Sequence, residues 1–139
     1  MTQSTHKVGI IGAGVIADFH AQAIEAIENA ELVAAFARNQ EKADSFSQKY
    51  GCTAYSCLDE FLEHPDMDVV TIGSVSGVHL DHTTAAAQAG KHIICEKPLE
   101  ITPARVDRMI DVCEQNRVML SGIFPRRFND STHIFKEAI

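Results

Sequence analysis

The sequence lacks the features that mark membrane proteins, secreted proteins and nucleic-acid-binding proteins. No apolar run approaches the roughly 18 residues of a membrane-spanning helix, and residues 1–7 contain no apolar segment of a secretory signal. The 12 Lys and Arg are outnumbered by 19 Asp and Glu, which makes the net charge −7. This acidity argues against nucleic acid or an anionic membrane as the main partner. We expect a cytoplasmic protein with neither of these partners.

Metal-binding and disulfide patterns are also missing. The four cysteines are scattered without a CxxC pair, and there is no tryptophan. Scattered cysteines are typical of reduced thiols in the cytosol. His79 and His82 are three residues apart on a predicted helix, but no third ligand is evident nearby. We therefore expect no metal site.

One stretch, residues 8–17, organises the chain: an apolar strand, a glycine turn and the start of a helix. Gly12 permits the tight turn, Gly14 lets a diphosphate approach the backbone, and Ala17 lets the helix lie against the strand. The N–H groups of the first helical turn would face the anion. Glycine turns also occur in other proteins, but this position near the start of the chain predicts a dinucleotide-binding fold.

Strands and helices alternate along the rest of the chain. The predicted strands are residues 8–11, 32–37, 52–55, 68–73, 92–95 and 117–123. The predicted helices are residues 15–29, 40–50, a short one capped by Ser56, 78–89 and one from the N-cap Thr102 to about Asn116. This alternation predicts an α/β fold with a doubly wound parallel sheet.

The first helix and the last one raise separate questions. On the first, a 3.6-residue period assigns the buried face to Ile16, Phe19, Ala23, Ile24 and Ile27, with His20 as a packed, hydrogen-bonded neighbour. The last helix opens at Ser131, and its apolar Ile134, Phe135 and Ile139 have nothing in this chain to pack against. We assign residues 1–123 to a dinucleotide-binding domain and residues 124–139 to the connection to a C-terminal substrate domain outside this sequence.

Ala37 ends the second predicted strand and Arg38 follows it; an acid at the position of Ala37 usually bonds the adenosine ribose. Without a carboxylate there is no repulsion of a 2′-phosphate, and a guanidinium can bind one bidentately. Bonds of this kind contribute about 1.5–3 kcal/mol, a preference of about ten- to a hundredfold. The prediction is NADP, with NAD as second choice. The alternative is a solvated arginine at a helix start.

Glu96 and Lys97 place opposite charges at the end of the fifth strand, followed by Pro98. Lys97 could donate to a substrate oxygen, and Glu96 could keep it charged or orient it. The alternative is a surface ion pair worth less than about 1 kcal/mol.

The glycine turn and residues 89–98, Ala-Gly-Lys-His-Ile-Ile-Cys-Glu-Lys-Pro, together resemble the glucose-fructose oxidoreductase / inositol dehydrogenase family, called Gfo/Idh/MocA. The resemblance extends along the whole chain, through Arg126-Arg127-Phe128-Asn129. It implies an N-terminal Rossmann domain that holds NAD(P) and a second, open-faced sheet domain that holds the substrate.

The same resemblance implies roles for individual residues. Gly12, Gly14, Val15 and Ile16 would hold the diphosphate, Ala37 and Arg38 the adenosine ribose, and Ser74, Val75, His79 and Glu96 the nicotinamide half. Lys97 is similar to the family lysine placed between nicotinamide and substrate, and is our predicted catalytic residue. Val75 stands where the family often has proline, and Ala37 where it usually has an acid.

These observations predict an NAD(P)-dependent oxidoreductase that acts on a sugar, polyol or related hydroxyl compound, homo-oligomeric in its full-length form. The 139-residue chain alone should be inactive. A non-catalytic NAD(P)-binding sensor or scaffold is the alternative, but it has no need of Lys97. A third alternative is an S-adenosylmethionine methyltransferase, which also uses a glycine turn. It would prefer an acid at the position of Ala37, so the sequence argues against it.

Overall fold

A parallel sheet of six strands forms the centre of the protein in a computed structural model, which describes residues 4–138. The strands are β1 (His6–Ile11), β2 (Ala30–Phe36), β3 (Thr53–Tyr55), β4 (Val69–Ile72), β5 (His92–Cys95) and β6 (Leu120–Gly122). Their order is β3-β2-β1-β4-β5-β6, and every neighbouring pair is parallel. The predicted doubly wound sheet is confirmed. Its order reverses between β1 and β4, where such sheets bind ligands beyond the carboxyl ends of the strands.

Six α-helices are described: α1 (Val15–Glu25), α2 (Gln40–Tyr50), α3 (Leu58–Leu62), α4 (His79–Gln88), α5 (Pro103–Gln115) and α6 (Asp130–Glu137), with 3₁₀ turns at Ser76–Val78 and Pro125–Phe128. Helices α1 and α2 pack on one face of the sheet around Ala21 and Phe46. Helices α3, α4 and α5 pack on the other around Phe61 and Met109. The central strand β1 is inaccessible at Ile10 and Ile11, as expected for a strand covered on both sides.

The buried face of α1 differs from the prediction. Its buried residues are Ala17, His20, Ala21 and Ile24. Ile24 and the packed His20 are buried as predicted and Ile16 is half-buried, but Ala23 is exposed, Phe19 is 62% exposed and Ile27 is 50% exposed. The helix also ends at Glu25 rather than at residue 29. Small residues let α1 lie close to the sheet, and hydrophobicity alone pointed to the larger side chains instead.

The other helix and strand boundaries agree with the prediction at the start of α5, but not at the starts of α3 and β6. Thr102 caps α5 with its side chain accepting from the Arg105 N–H, as predicted. The N-cap of α3 is Cys57, not Ser56, and no side chain caps that helix. Strand β6 begins at Leu120 rather than at residue 117, because Arg117 adopts a left-handed φ of 58° that interrupts extended backbone.

The segment after β6 folds onto itself rather than into the core. Phe128, Ile134 and Phe135 are 79%, 67% and 73% exposed. Helix α6 begins at Asp130, one residue before the predicted Ser131, while Ile139 lies outside the described residues. The division at residue 123 stays a prediction. Within residues 4–138, no helix is both long enough and apolar enough to cross a membrane.

Candidate functional site

A cleft of about 400 Å³ opens at the carboxyl edge of the sheet, beyond β1, β2 and β4. This is within the usual size range of a small-molecule site. Six of the predicted cofactor residues line it: Gly12, Gly14, Ala37, Arg38, Ser74 and Val75. The cleft also contains Ile11, Ala13, Phe36, Asn39, Lys42, Gly73, Val78 and His82, which the sequence analysis did not single out for this role.

The glycine turn leaves space for a ligand at the start of α1. Gly12 has a φ of +101°, and a Cβ there would lie 3.0 Å from the backbone nitrogen of Ser74. At Gly14, in contrast, a Cβ would meet no protein atom within 4 Å. A side chain is therefore excluded at Gly12 by the protein itself, whereas at Gly14 it would occupy only the open cleft.

The N-terminus of α1 presents backbone donors to this open space. Its N-cap is Gly14, and no side chain hydrogen-bonds to cap the helix. Val15, the first helical residue, is 80% exposed. A helix end of this kind carries N–H groups and a partial positive charge that favour phosphate. The predicted diphosphate residues, Gly12, Gly14, Val15 and Ile16, thus lie together in the β1–α1 turn.

Two cations lie at the end of the cleft that is formed by β2 and α2. Arg38 and Lys42 both line it, and Asn39 between them caps α2 by accepting the Lys42 N–H at 3.0 Å. Among residues 4–138, no carboxylate oxygen lies within 4.0 Å of a charged nitrogen of Arg38 or Lys42. Lys42 was missed, although its place in the first turn after Arg38 could have indicated it.

His82 forms part of the wall between the loop after β4 and the end of β2. Its Nδ1 lies 2.9 Å from the Ser74 hydroxyl oxygen, and its ring meets Phe36 edge-on at 6.2 Å. Burial lowers the pKa of His82, and the nearby His79 and Arg38 act in the same direction. No cluster of three or more His, Cys, Asp or Glu suited to a metal is found in the described part of the chain.

His79 lies behind the cleft rather than in it. It is only 1% exposed. Its Nε2 is 3.0 Å from the Ser74 carbonyl oxygen, and its Nδ1 is 3.1 Å from the carbonyl oxygens of Pro98 and Leu99. The ring thus joins the loop after β4 to the loop after β5, and a role for His79 at the nicotinamide half stays a prediction.

Glu96 and Lys97 point in different directions. Lys97 is exposed in the loop after β5, the strand next to β4 in the sheet, and it does not line the cleft. Glu96 is 7% exposed. Its Oε1 lies 3.1 Å from His20 Nε2, and its Oε2 accepts the backbone N–H of Lys97 at 3.0 Å. The predicted Glu96–Lys97 side-chain pair is not found, because the carboxylate faces inward; nor does Glu96 line the cleft.

The amino-acid sequence matches a known oxidoreductase family. Residues 6–124 match the family GFO_IDH_MocA, described as "Oxidoreductase family, NAD-binding Rossmann fold". The chain is 35% identical over 134 residues to the myo-inositol 2-dehydrogenase of Thermotoga maritima, covering 96% of this chain and 40% of that protein. It is 36% identical over 133 residues to the glucose-6-phosphate 3-dehydrogenase of Bacillus subtilis, with 96% and 37% covered.

A solved structure shows the same fold. The scyllo-inositol dehydrogenase of Lactobacillus casei, with bound NAD(H) and scyllo-inositol, superposes with a TM-score of 0.87 at 32% identity. The match covers 96% of this chain and 40% of that one. The chain thus spans about 40% of the length of the proteins that it matches.

Proposed function

Because this chain belongs to the Gfo/Idh/MocA oxidoreductase family, we propose that it is the cofactor-binding part of an NADP-preferring dehydrogenase. The reaction is hydride transfer between nicotinamide and a sugar, polyol or related hydroxyl or carbonyl compound. The observation that carries this proposal is the cleft itself, with an open backbone cradle in the middle, two cations at one end and Lys97 beyond the other.

The cradle supports binding of the diphosphate at the β1–α1 turn. The open space at Gly14 and the uncapped start of α1 allow phosphate oxygens to approach the backbone N–H groups of Val15 and Ile16. Residues after β2 would then hold the adenosine half, and residues after β4 would hold the nicotinamide half. Ser74 and Val75 lie on that second path, as part of the cleft wall.

The two cations support NADP over NAD. Arg38 and Lys42 have no carboxylate partner among the described residues, so both are available to a 2′-phosphate. Ala37 offers no carboxylate to bind a ribose 2′-hydroxyl or to repel a phosphate. The structural relative with bound NAD(H) shows that family membership alone does not decide between the two cofactors.

Lys97 supports chemistry rather than nucleotide binding alone. When bound, the nicotinamide supplies the hydride acceptor or donor. The exposed Lys97 ammonium would donate a hydrogen bond to the substrate oxygen whose charge changes during hydride transfer. A nucleotide sensor would need the cradle but not this lysine. Relatives named as inositol and glucose-6-phosphate dehydrogenases support a polyol or sugar substrate. A homo-oligomeric full-length protein stays a prediction.

A Gly14→Val variant tests the proposal. Gly14 has an extended φ of −110° that valine adopts, and its Cβ direction is open, so the variant should fold normally. Its methyl groups would occupy the diphosphate cradle and weaken NADPH binding at least tenfold, as measured by the fluorescence of the nicotinamide. Gly77→Ala is the matched control, because a Cβ there is equally open but outside the turn. Unchanged NADPH binding by the folded Gly14→Val protein would contradict the proposed cofactor site.

A further inference from the structure

A buried chain of polar groups connects α1 to the loop that carries Lys97. His20 Nδ1 lies 3.0 Å from the Thr71 hydroxyl oxygen on β4, and His20 Nε2 lies 3.1 Å from Glu96 Oε1. The second carboxylate oxygen, Oε2, accepts the Lys97 backbone N–H at 3.0 Å. His20, Thr71 and Glu96 are 9%, 5% and 7% exposed. This series of hydrogen bonds therefore passes through the protein interior and ends at the backbone of Lys97.

The chemistry of the acceptors decides which atom donates in each of these hydrogen bonds. The Glu96 carboxylate has only acceptor oxygens, so His20 Nε2 carries the hydrogen and donates it. In neutral imidazole, Nδ1 is then the acceptor and can receive the Thr71 hydroxyl hydrogen. Both oxygens of the buried carboxylate are thus satisfied, Oε1 by His20 and Oε2 by Lys97 N–H.

We propose that His20 is a positioning residue for Lys97: by holding the Glu96 carboxylate inward, it fixes the backbone from which the Lys97 side chain extends toward the nicotinamide end of the cleft. This inference rests on the proposed function for the role of Lys97. The contact between His20 and Glu96, however, stands on geometry alone. His20 touches neither the cleft nor the Lys97 ammonium among the described contacts, so it acts through Glu96.

Packing alone does not account for a histidine at this place. The other buried residues of α1 are Ala17, Ala21 and Ile24, which fill the interface with hydrocarbon. An apolar residue in place of His20 would leave Glu96 Oε1 buried without its donor, which is unfavourable. The carboxylate would then turn toward solvent or toward the Lys97 ammonium, and the hydrogen bond to the Lys97 N–H would be lost.

Substitutions of His20 can separate its two hydrogen bonds. In His20→Gln the side-chain amide reaches the position of Nε2 and keeps a donor to Glu96. In His20→Asn the amide reaches only the position of Nδ1 and keeps the Thr71 contact. His20→Phe keeps the ring volume and neither bond. Amide hydrogen exchange at Lys97, resolved by NMR of the 139-residue chain, reports directly on the last link.

We expect exchange of the Lys97 amide to be about ten- to a hundredfold faster in His20→Phe and His20→Asn than in the wild type, and near wild-type rates in His20→Gln. Rescue by glutamine but not by asparagine supports the proposal, since a merely structural histidine would not distinguish the two amides in this order. Equal Lys97 exchange in the Gln and Asn variants would overturn it. If His20→Phe does not fold, the Gln and Asn variants still decide.

A second measurement tests the position of the Lys97 ammonium. Acetylation by limiting acetic anhydride, read by mass spectrometry, should be slowed at Lys97 by saturating NADPH in the wild type and in His20→Gln, but not in His20→Asn. Lys91, which directly precedes β5, is the internal reference; its Nζ donates to the Met67 carbonyl oxygen. Protection in all variants would overturn the positioning role. No protection in the wild type would contradict the proposed function itself, whatever the exchange rates show.

Discussion

Arg38 should determine the preference of this chain for the 2′-phosphate of NADP. The guanidinium is exposed in the cleft and has no carboxylate partner among residues 4–138, so binding a phosphate breaks no ion pair. A bidentate, charge-assisted contact contributes about 1.5–3 kcal/mol. Arg38→Ala should therefore weaken NADPH binding about ten- to a hundredfold and leave NADH binding nearly unchanged. Arg38→Lys should recover only part of the loss, because an ammonium cannot bind bidentately.

The assay is a pair of fluorescence titrations, NADPH and NADH, at two salt concentrations. The difference between the cofactors should shrink as salt rises, since the contact is solvent-accessible and screened. Lys42→Ala should reduce the same difference by a smaller factor, because Lys42 adds a single point charge at the same end of the cleft. Arg108→Ala, on an exposed face of α5, is the matched control. Equal affinity for both cofactors in the wild type, or an unchanged ratio in Arg38→Ala, would refute the assignment.

Two further predictions concern the proposed reaction, and a third concerns the ion pair of Glu100 and Arg105 outside the cleft. The purified 139-residue chain should bind cofactor yet show no turnover with polyols or sugars, because it spans about 40% of its relatives; measurable turnover would contradict the proposed domain arrangement. In the full-length protein, Lys97→Met should lower kcat by about 10²–10⁴-fold with little change in the NADPH dissociation constant, whereas a surface role would leave kcat unchanged. Finally, Arg105 holds the pKa of Glu100 at about 2, below its ordinary 4.5, so the carboxylate stabilises the fold above pH 4.5 and loses this contribution as the pH falls toward 2. The loss should be about 3 kcal/mol in acid unfolding curves, and it should be absent in Glu100→Gln.

The order of the sheet could be predicted because it follows from local patterns repeated along the chain. Each apolar strand is followed by a helix, and right-handed crossovers leave few ways to arrange such units. The glycine turn marks β1 as the central strand. Arg38 lies two residues after the end of β2, and this position can be read directly from the sequence. For the same reason the cleft residues Gly12, Gly14 and Ser74 were found from sequence. Each lies within three residues of the carboxyl end of a strand.

The partners of Glu96 could not be predicted in this way. In the sequence its neighbour is Lys97, and opposite charges side by side indicate an ion pair. In the fold its partner is His20, 76 residues away. Only the fold brings them together: α1 packs on the sheet, and the His20 side chain reaches Thr71 on β4 and Glu96 after β5. The face of α1 was misassigned for a related reason: Ala17 and Ala21 are buried because they are small, whereas hydrophobicity favoured the exposed Phe19.

Helix α1 therefore serves both ends of the proposed site, and its close approach to the sheet is what makes this possible. Its first turn presents the N–H groups that follow the N-cap Gly14. His20, less than two turns later, reaches the Glu96 carboxylate that accepts the Lys97 N–H. At the end of β4, a Cβ on Gly73 would lie 2.7 Å from Ile16 Cγ2, so an alanine there would require the Ile16 side chain or α1 itself to shift. The small Ala17 and Gly73 thus let α1 lie close to the sheet, and this places both the proposed diphosphate cradle and the proposed support of Lys97 on one helix.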